Sequence, residues 1–126
     1  MNARPAPDTD VLLRAAYAAF NARNIDAALA LMTPDVDWPN GMEGGYVHGH
    51  DGIREYWSRQ WTLIDPTVEP LGIETEPDGG HCVTVRQRVA DLAGNLLADR
   101  IVYHVYRLRD GLIATMEIRE TSEAAT

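Results

Sequence analysis

The chain has 126 residues, 45% of them hydrophobic and 24% charged, with a formal net charge of −8. This length supports one domain with a real core, and the acidic balance repels phosphate backbones, which argues against nucleic acid as a partner. No apolar run approaches ~18 residues and no signal-peptide pattern opens the chain, so a soluble, cytoplasmic protein that does not enter a membrane is expected.

Met1 to Pro7 carries two prolines and no periodicity and reads as a loose arm. Asp8, Thr9 or Asp10 can cap the first helix. Leu13, Ala16, Tyr17 and Phe20 then recur at i, i+3, i+4 and i+7, the spacing of an amphipathic helix that ends near Asn21 to Asn24. Asn24 can cap a second, shorter helix with Ile25, Ala28, Leu29 and Met32 inward, stopped by Pro34. Val36 and Trp38 alternate with Asp35 and Asp37, a brief strand over Asp35 to Trp38. A glycine-rich loop follows from Asn40 to Gly45, then an extended piece from Tyr46 to His50. Asp51 can cap a third helix that carries Ile53, Trp57, Gln60, Trp61 and Ile64 on one face and ends before Pro66.

After Pro66 the pattern turns to strands. They are expected over Thr67 to Glu76, Cys82 to Leu92, Leu97 to Arg109 and Leu112 to Thr121, joined by turns at Asp78-Gly79-Gly80, Gly94-Asn95 and Asp110-Gly111. Pro70 marks an edge strand or a bulge. Val83, Val85, Gln87 and Val89 share one face of the second long strand, and Arg86 and Arg88 the other. The third is apolar on both faces: Val102, His104, Tyr106 and Leu108 on one, Ile101, Tyr103 and Val105 on the other. In the last, Ile113 groups with Thr115 and Glu117, and Ala114 with Met116 and Ile118. The tail from Ser122 is expected to be disordered. Helices followed by an antiparallel meander make an α+β domain spanning residues 1–126, with its core over about 8–121. One face of the third long strand takes the helices. The other, with no further helix to cover it, predicts a homodimer packed through the outer sheet face.

Several side chains carry possible chemistry. His104 can pass a proton either way near neutral pH, or be a strand histidine satisfied by a neighbour. Asp37 can serve as a general base if the chain twists before Pro39; the Val36/Trp38 alternation instead makes it an exposed strand-end carboxylate. Tyr17 can donate to a developing oxyanion or sit in the core with its hydroxyl paired. Trp38, Trp57, Trp61, Tyr106 and Met116 line either a pocket or a core, and Asn40, Tyr46 and His48 lie on a loop that could gate its mouth. His48 and His50 lack a third ligand of fixed spacing, so no metal is expected. Arg54 and Arg59 read as an outer, solvated helix face. The glycines of the loop do not form a phosphate-binding pattern. Cys82 is the sole cysteine, which leaves no intrachain disulfide, and it reads as a small buried hydrophobe.

The stretches YAAFNARNIDAALALMTPDVDWPN, VHGHDGIREYWSRQW and VYHVYRLRDGLIATMEI, in that order and spacing, resemble the SnoaL-like branch of the nuclear transport factor 2-like superfamily. The likeness covers about Val11 to Ile118. It implies a cone-shaped fold in which a curved antiparallel sheet wraps around three N-terminal helices and leaves an apolar cavity. Ketosteroid isomerases, polyketide cyclases, limonene epoxide hydrolases and scytalone dehydratases share that fold. The isomerase pattern has an Asp directly before the strand proline, where this chain has Trp38, with Asp37 one place early. The isomerase tyrosine falls opposite Ala16, with Tyr17 one place late, and its strand Asp falls opposite His104. The resemblance therefore implies a small-molecule enzyme without metal or organic cofactor: a proton-transfer isomerase, cyclase or dehydratase acting on an apolar carbonyl or hydroxyl compound. His104, Tyr17 and Asp37 would carry the chemistry. Trp38, Asn40, Tyr46, Trp57, Trp61, Tyr106 and Met116 would hold the ligand. The alternatives are a module that binds an apolar ligand without turnover, and a dimeric interaction domain with a vestigial cavity.

Overall fold

The computed structural model describes residues 7–41 and 43–119. The arm before Pro7, the tail from Ser122 and the expected end of the last strand at Thr121 lie outside the described residues. Helix α1 (Pro7–Asn21) turns Leu13, Ala16 and Tyr17 into the interior. The caps expected at Asp8, Thr9 or Asp10 fall inside the helix instead, because it opens at Pro7, whose fixed φ suits the first helical position. Asp10 there accepts from Arg14 Nε at 2.8 Å.

The end of α1 sets where it can reach. The Asn24 N–H donates to Ala19 C=O at 2.8 Å and the Arg23 N–H to Phe20 C=O at 3.0 Å, the paired bonds of a Schellman turn. Arg23 takes the left-handed position at φ 60°, where glycine is usual. Its guanidinium compensates: it lies 5.0 Å from the Trp61 ring and 5.5 Å from the Phe20 ring, donates to Pro66 C=O at 2.8 Å, and pairs with Asp65. Asn24 Oδ1 then accepts from the Ala27 N–H at 3.1 Å and starts α2 (Ile25–Leu29).

Helix α2 does not run on to Met32. That residue opens strand β1 (Met32–Pro39), and Pro34, expected to stop the helix, lies within the strand. The proline is tolerated because β1 aligns with the last strand only at Met32↔Ile113 and Asp37↔Thr115, and the stretch between is out of register. Strand β2 (Tyr46–His48) runs directly into α3 (Gly49–Gln60). Asp51, the expected cap, sits in the first turn, while the boundary falls at Gly49. That residue has φ 72°, and a Cβ on it would come within 3.2 Å of Pro34 C=O. Ile53, Tyr56 and Trp57 form the buried face of α3.

Four long strands follow: β3 (Asp65–Thr75), β4 (His81–Ala90), β5 (Leu96–Arg109) and β6 (Leu112–Arg119). The six-stranded sheet has the order β2-β1-β6-β5-β4-β3, with β1 parallel to β6 and every other pairing antiparallel. Helix α3 packs over β1 and β2, and α1 over β3. Val83, Val85, Val102 and Tyr106 form the inner floor beneath them. On the outer face Arg86 grips Asp99 through Nε at 3.0 Å and Nη2 at 2.8 Å.

The expected faces of β6 need one correction. Ile113 and Met116 are both buried, although simple alternation separates them. The ladder pairs Arg107 with Thr115 but Leu108 with Ile113, so Ala114 is an extra residue that flips the alternation, a β-bulge. Strand β3 matches the expectation from Pro70: it is an edge, with its irregularity between Pro70 and Gly72.

Asn21 closes that edge. Its Nδ2 donates to Val68 C=O at 2.7 Å, and its Oδ1 accepts from the Val68 N–H at 3.0 Å. The amide stands where a further strand would pair and fixes α1 against β3. Asn21→Ala leaves both backbone groups of buried Val68 unpaired and is expected to lower unfolding free energy by about 2 kcal/mol in urea titration. A loss below roughly 0.5 kcal/mol would mean that the edge is satisfied by other means.

Candidate functional site

Beneath α1 and α3 the inner sheet face encloses a cavity of about 90 Å³. Aromatic rings make much of its wall. Phe20, Trp38, Tyr56, Trp57 and Tyr106 line it, with Met32 and Met116 between them. Trp38 meets Trp57 edge-on at 5.5 Å, and Phe20 meets Trp57 at 5.1 Å, the T-shaped contacts that aromatic quadrupoles favour. Among the described residues no Asp, Glu, Lys or Arg lines the cavity. Its polar groups are Tyr17, His104, Gln60, Gln87, and the hydroxyls of Tyr56 and Tyr106.

Three of these are linked. Tyr106 Oη donates to Tyr17 Oη at 2.7 Å, and Tyr17 Oη lies 2.8 Å from His104 Nδ1. The Tyr17 ring stacks on the imidazole with centroids 5.8 Å apart. The arrangement follows from two sequence periods. The helical repeat turns Tyr17 inward, and strand alternation puts His104 and Tyr106 on one face of β5. Nε2 of His104 has no protein partner among the described residues. Burial pushes the His104 imidazole down to about 4, so the ring is neutral at neutral pH. Burial also raises Tyr17 well above the ordinary phenol range, with neighbouring Tyr106 adding to it, and raises Tyr106 despite its bond to Tyr17.

The remaining candidates divide. Trp38, Trp57, Tyr106 and Met116 line the cavity. Trp61 stands behind it, 5.8 Å from Trp57 and 5.4 Å from Phe20, and is not part of the wall. Asp37 faces away from the cavity, because strand alternation that turns Trp38 inward turns its neighbour out. Its carboxylate pairs with His48, which sits opposite in the β1–β2 register. Asn40 closes the loop, its Oδ1 accepting from the Glu43 N–H at 2.9 Å, and Tyr46 is half exposed on β2; neither lines the cavity. His50 donates from Nε2 to Met32 C=O at 3.2 Å, Arg54 pairs with Asp26 and Arg59 with Glu43. Cys82 is half-buried and burial raises its thiol, which keeps it protonated. No group of three or more His, Cys, Asp or Glu among the described residues is placed to hold a metal. No described helix is long and apolar enough to cross a membrane.

Tyr56, Gln60 and Gln87 are wall residues not singled out from the sequence as site residues. Gln87 carried a signal: a polar side chain at an inward position of an otherwise valine face needs a partner or a ligand. Tyr56 falls three residues after Ile53, on the edge of the face marked by Trp57.

A curved sheet closed by three helices over an uncharged aromatic cavity is the architecture of a SnoaL-like domain. The chain belongs to that family, whose sequence model matches residues 13–116. The solved structure of TerC, co-crystallised with polyporic acid, is 30% identical and covers 94% of this chain and 95% of its own, with a TM-score of 0.78. A nuclear transport factor 2-like protein of unknown function from Burkholderia pseudomallei is 28% identical, covers 92% of both chains and has a TM-score of 0.78. Rv0760c from Mycobacterium tuberculosis, in complex with estradiol-17β-hemisuccinate, shares the fold at 17% identity, 88% and 92% coverage and a TM-score of 0.74. No curated protein gives a significant match.

The neutral His104 ties stability to pH. Its folded-state value of about 4 lies below the ordinary 6.5, so between those values the unfolded chain binds the proton and the folded chain does not. Stability is therefore complete above pH 6.5 and falls as pH drops toward 4, by on the order of 3 kcal/mol. His81 is lowered by burial as well and acts in the same direction. Denaturant midpoints measured across this window should slope for the native chain and for His81→Gln, and flatten most in His104→Gln. An unchanged slope in His104→Gln would place the titration elsewhere.

Proposed function

We propose that this protein is an enzyme moving a proton in a small, neutral, largely apolar compound that bears a carbonyl or hydroxyl group, as in isomerisation, cyclisation or dehydration. The observation that carries the reading is the Tyr17–His104 pair, 2.8 Å apart, on the wall of a cavity without charged side chains. A ligand carboxylate or ammonium would be desolvated there without a counter-ion, so a neutral substrate fits. His104 handles the proton, Tyr17 addresses the substrate oxygen, and the side chains of Trp38, Trp57, Tyr106 and Met116 exclude water. The likeness to TerC, crystallised with polyporic acid, supports a small-molecule ligand for this chain. In a screen of neutral aromatic ketones and phenols, the native chain should give a product, and His104→Gln should lower its turnover at least ~100-fold with an unchanged circular dichroism spectrum. Equal turnover in the variant would sink the role of His104.

Binding without turnover is the second reading. Asp37 faces away from the cavity, and the buried His104 imidazole is a weak base, which favours that reading. A ligand found by screening that comes back chemically unchanged after long incubation would select it. A vestigial interaction domain is disfavoured by the unfilled space.

The outer sheet face, with Ile101 43% exposed and Tyr103 beside it, supports pairing with a second copy. Sedimentation at micromolar concentration should give a dimer that Ile101→Asp dissociates; a native monomer would overturn this.

A further inference from the structure

Tyr106, Tyr17 and His104 form an unbroken line of hydrogen-bonding groups, each at most 6% exposed, with every member on the cavity wall. Each can both donate and accept. The line therefore has two satisfied polarities. In one, Tyr106 donates to Tyr17, Tyr17 donates to Nδ1, and the ring proton sits on Nε2, which offers the cavity an N–H. In the other, Nδ1–H donates to Tyr17, Tyr17 donates to Tyr106 or into the cavity, and Nε2 is bare. Neither form contains a charge.

We propose that this three-member chain reverses with its ligand, presenting a donor to a substrate carbonyl and an acceptor to a substrate X–H group. The turnover role of the reversal rests on the enzyme reading above; the reversal itself does not. In turnover, bare Nε2 takes a proton from substrate carbon, Nδ1 passes its proton to Tyr17 Oη, and Tyr17 passes its own to the substrate oxygen. One C–H bond breaks and one O–H bond forms on the substrate. The imidazole and the phenol remain neutral, and the line is left in its opposite polarity. Running it backwards delivers the proton to a different carbon and completes a 1,3-shift. Such a step suits an imidazole that resists becoming imidazolium, since none is formed. It also assigns Tyr106 a positioning role: its oxygen accepts the hydrogen bond of the Tyr17 hydroxyl when the ligand cannot.

The test reads the protein without turnover. Ring nitrogens of His104 in ¹⁵N-labelled protein report which one carries the proton, with His104→Gln assigning the signals. Two bicyclic probes of matched size are used: 1-indanone, which only accepts, and indole, whose N–H only donates. Exchanging 1-indanone for indole should change the Nε2–H to Nδ1–H ratio by about tenfold, the population effect of roughly 1.4 kcal/mol, about one hydrogen bond. In Tyr106→Phe the response to indole should shrink to about twofold or less, because the Tyr17 proton has lost its acceptor. The same tautomer with both probes, an unaltered response in Tyr106→Phe, or a cavity that binds neither probe would each overturn the proposal. Reversal without product from any screened compound would instead leave it standing and remove the enzyme reading.

Discussion

A histidine buried in an uncharged aromatic cavity constrains everything around it. An imidazolium there would face desolvation with no carboxylate to offset it, so His104 is held neutral. A neutral ring still needs a partner for Nδ1, and Tyr17 is that partner at 2.8 Å. The contact joins α1 to β5, an interior strand of the sheet. The placement of α1 thus decides the site. That placement rests on the far end of the helix: the Asn21 amide on Val68, and Arg23 in a left-handed turn against Trp61 and Pro66. The edge strand is in this sense part of the site, and its Val68 lines the cavity.

Much of this was legible from local periods. The helical repeat through Leu13, Ala16 and Tyr17 and the alternation through Val102, His104 and Tyr106 each gave the correct inward face. Alternation also favoured an outward Asp37, and its pairing with His48 across the β1–β2 ladder is the structural counterpart. What no local period carries is convergence. Tyr17 and His104 are 87 positions apart, and only the sheet curvature and the path of α1 bring them to hydrogen-bond distance. Irregularities escaped for a related reason. The bulge at Ala114 puts Ile113 and Met116 on one face, and the out-of-register stretch of β1 admits Pro34, where a regular pattern read a helix stop. Both depend on the neighbouring strand, which a single-strand pattern does not contain. The same holds for Asn40 and Tyr46: a loop next to a cavity mouth reads as its gate, but Asn40 bonds Glu43 within the loop and Tyr46 stands half exposed on β2.

The position of Asp37 bears on what chemistry the cavity can support. A carboxylate in the wall would provide a strong local base at neutral pH, at the cost of burying a charge among tryptophans. Here that charge is outside, exposed and paired, and the wall contains only groups that are neutral throughout the physiological range. Proton movement in such a site favours steps in which donor and acceptor act together, because a separated ion pair would be poorly solvated by rings that have no counter-dipole aimed at it. Phenol and imidazole in direct contact meet that condition, and the Tyr106 hydroxyl behind them can keep Tyr17 hydrogen-bonded in either polarity. The aromatic packing that lines the cavity would therefore also restrict the proposed proton transfer to neutral, concerted exchange.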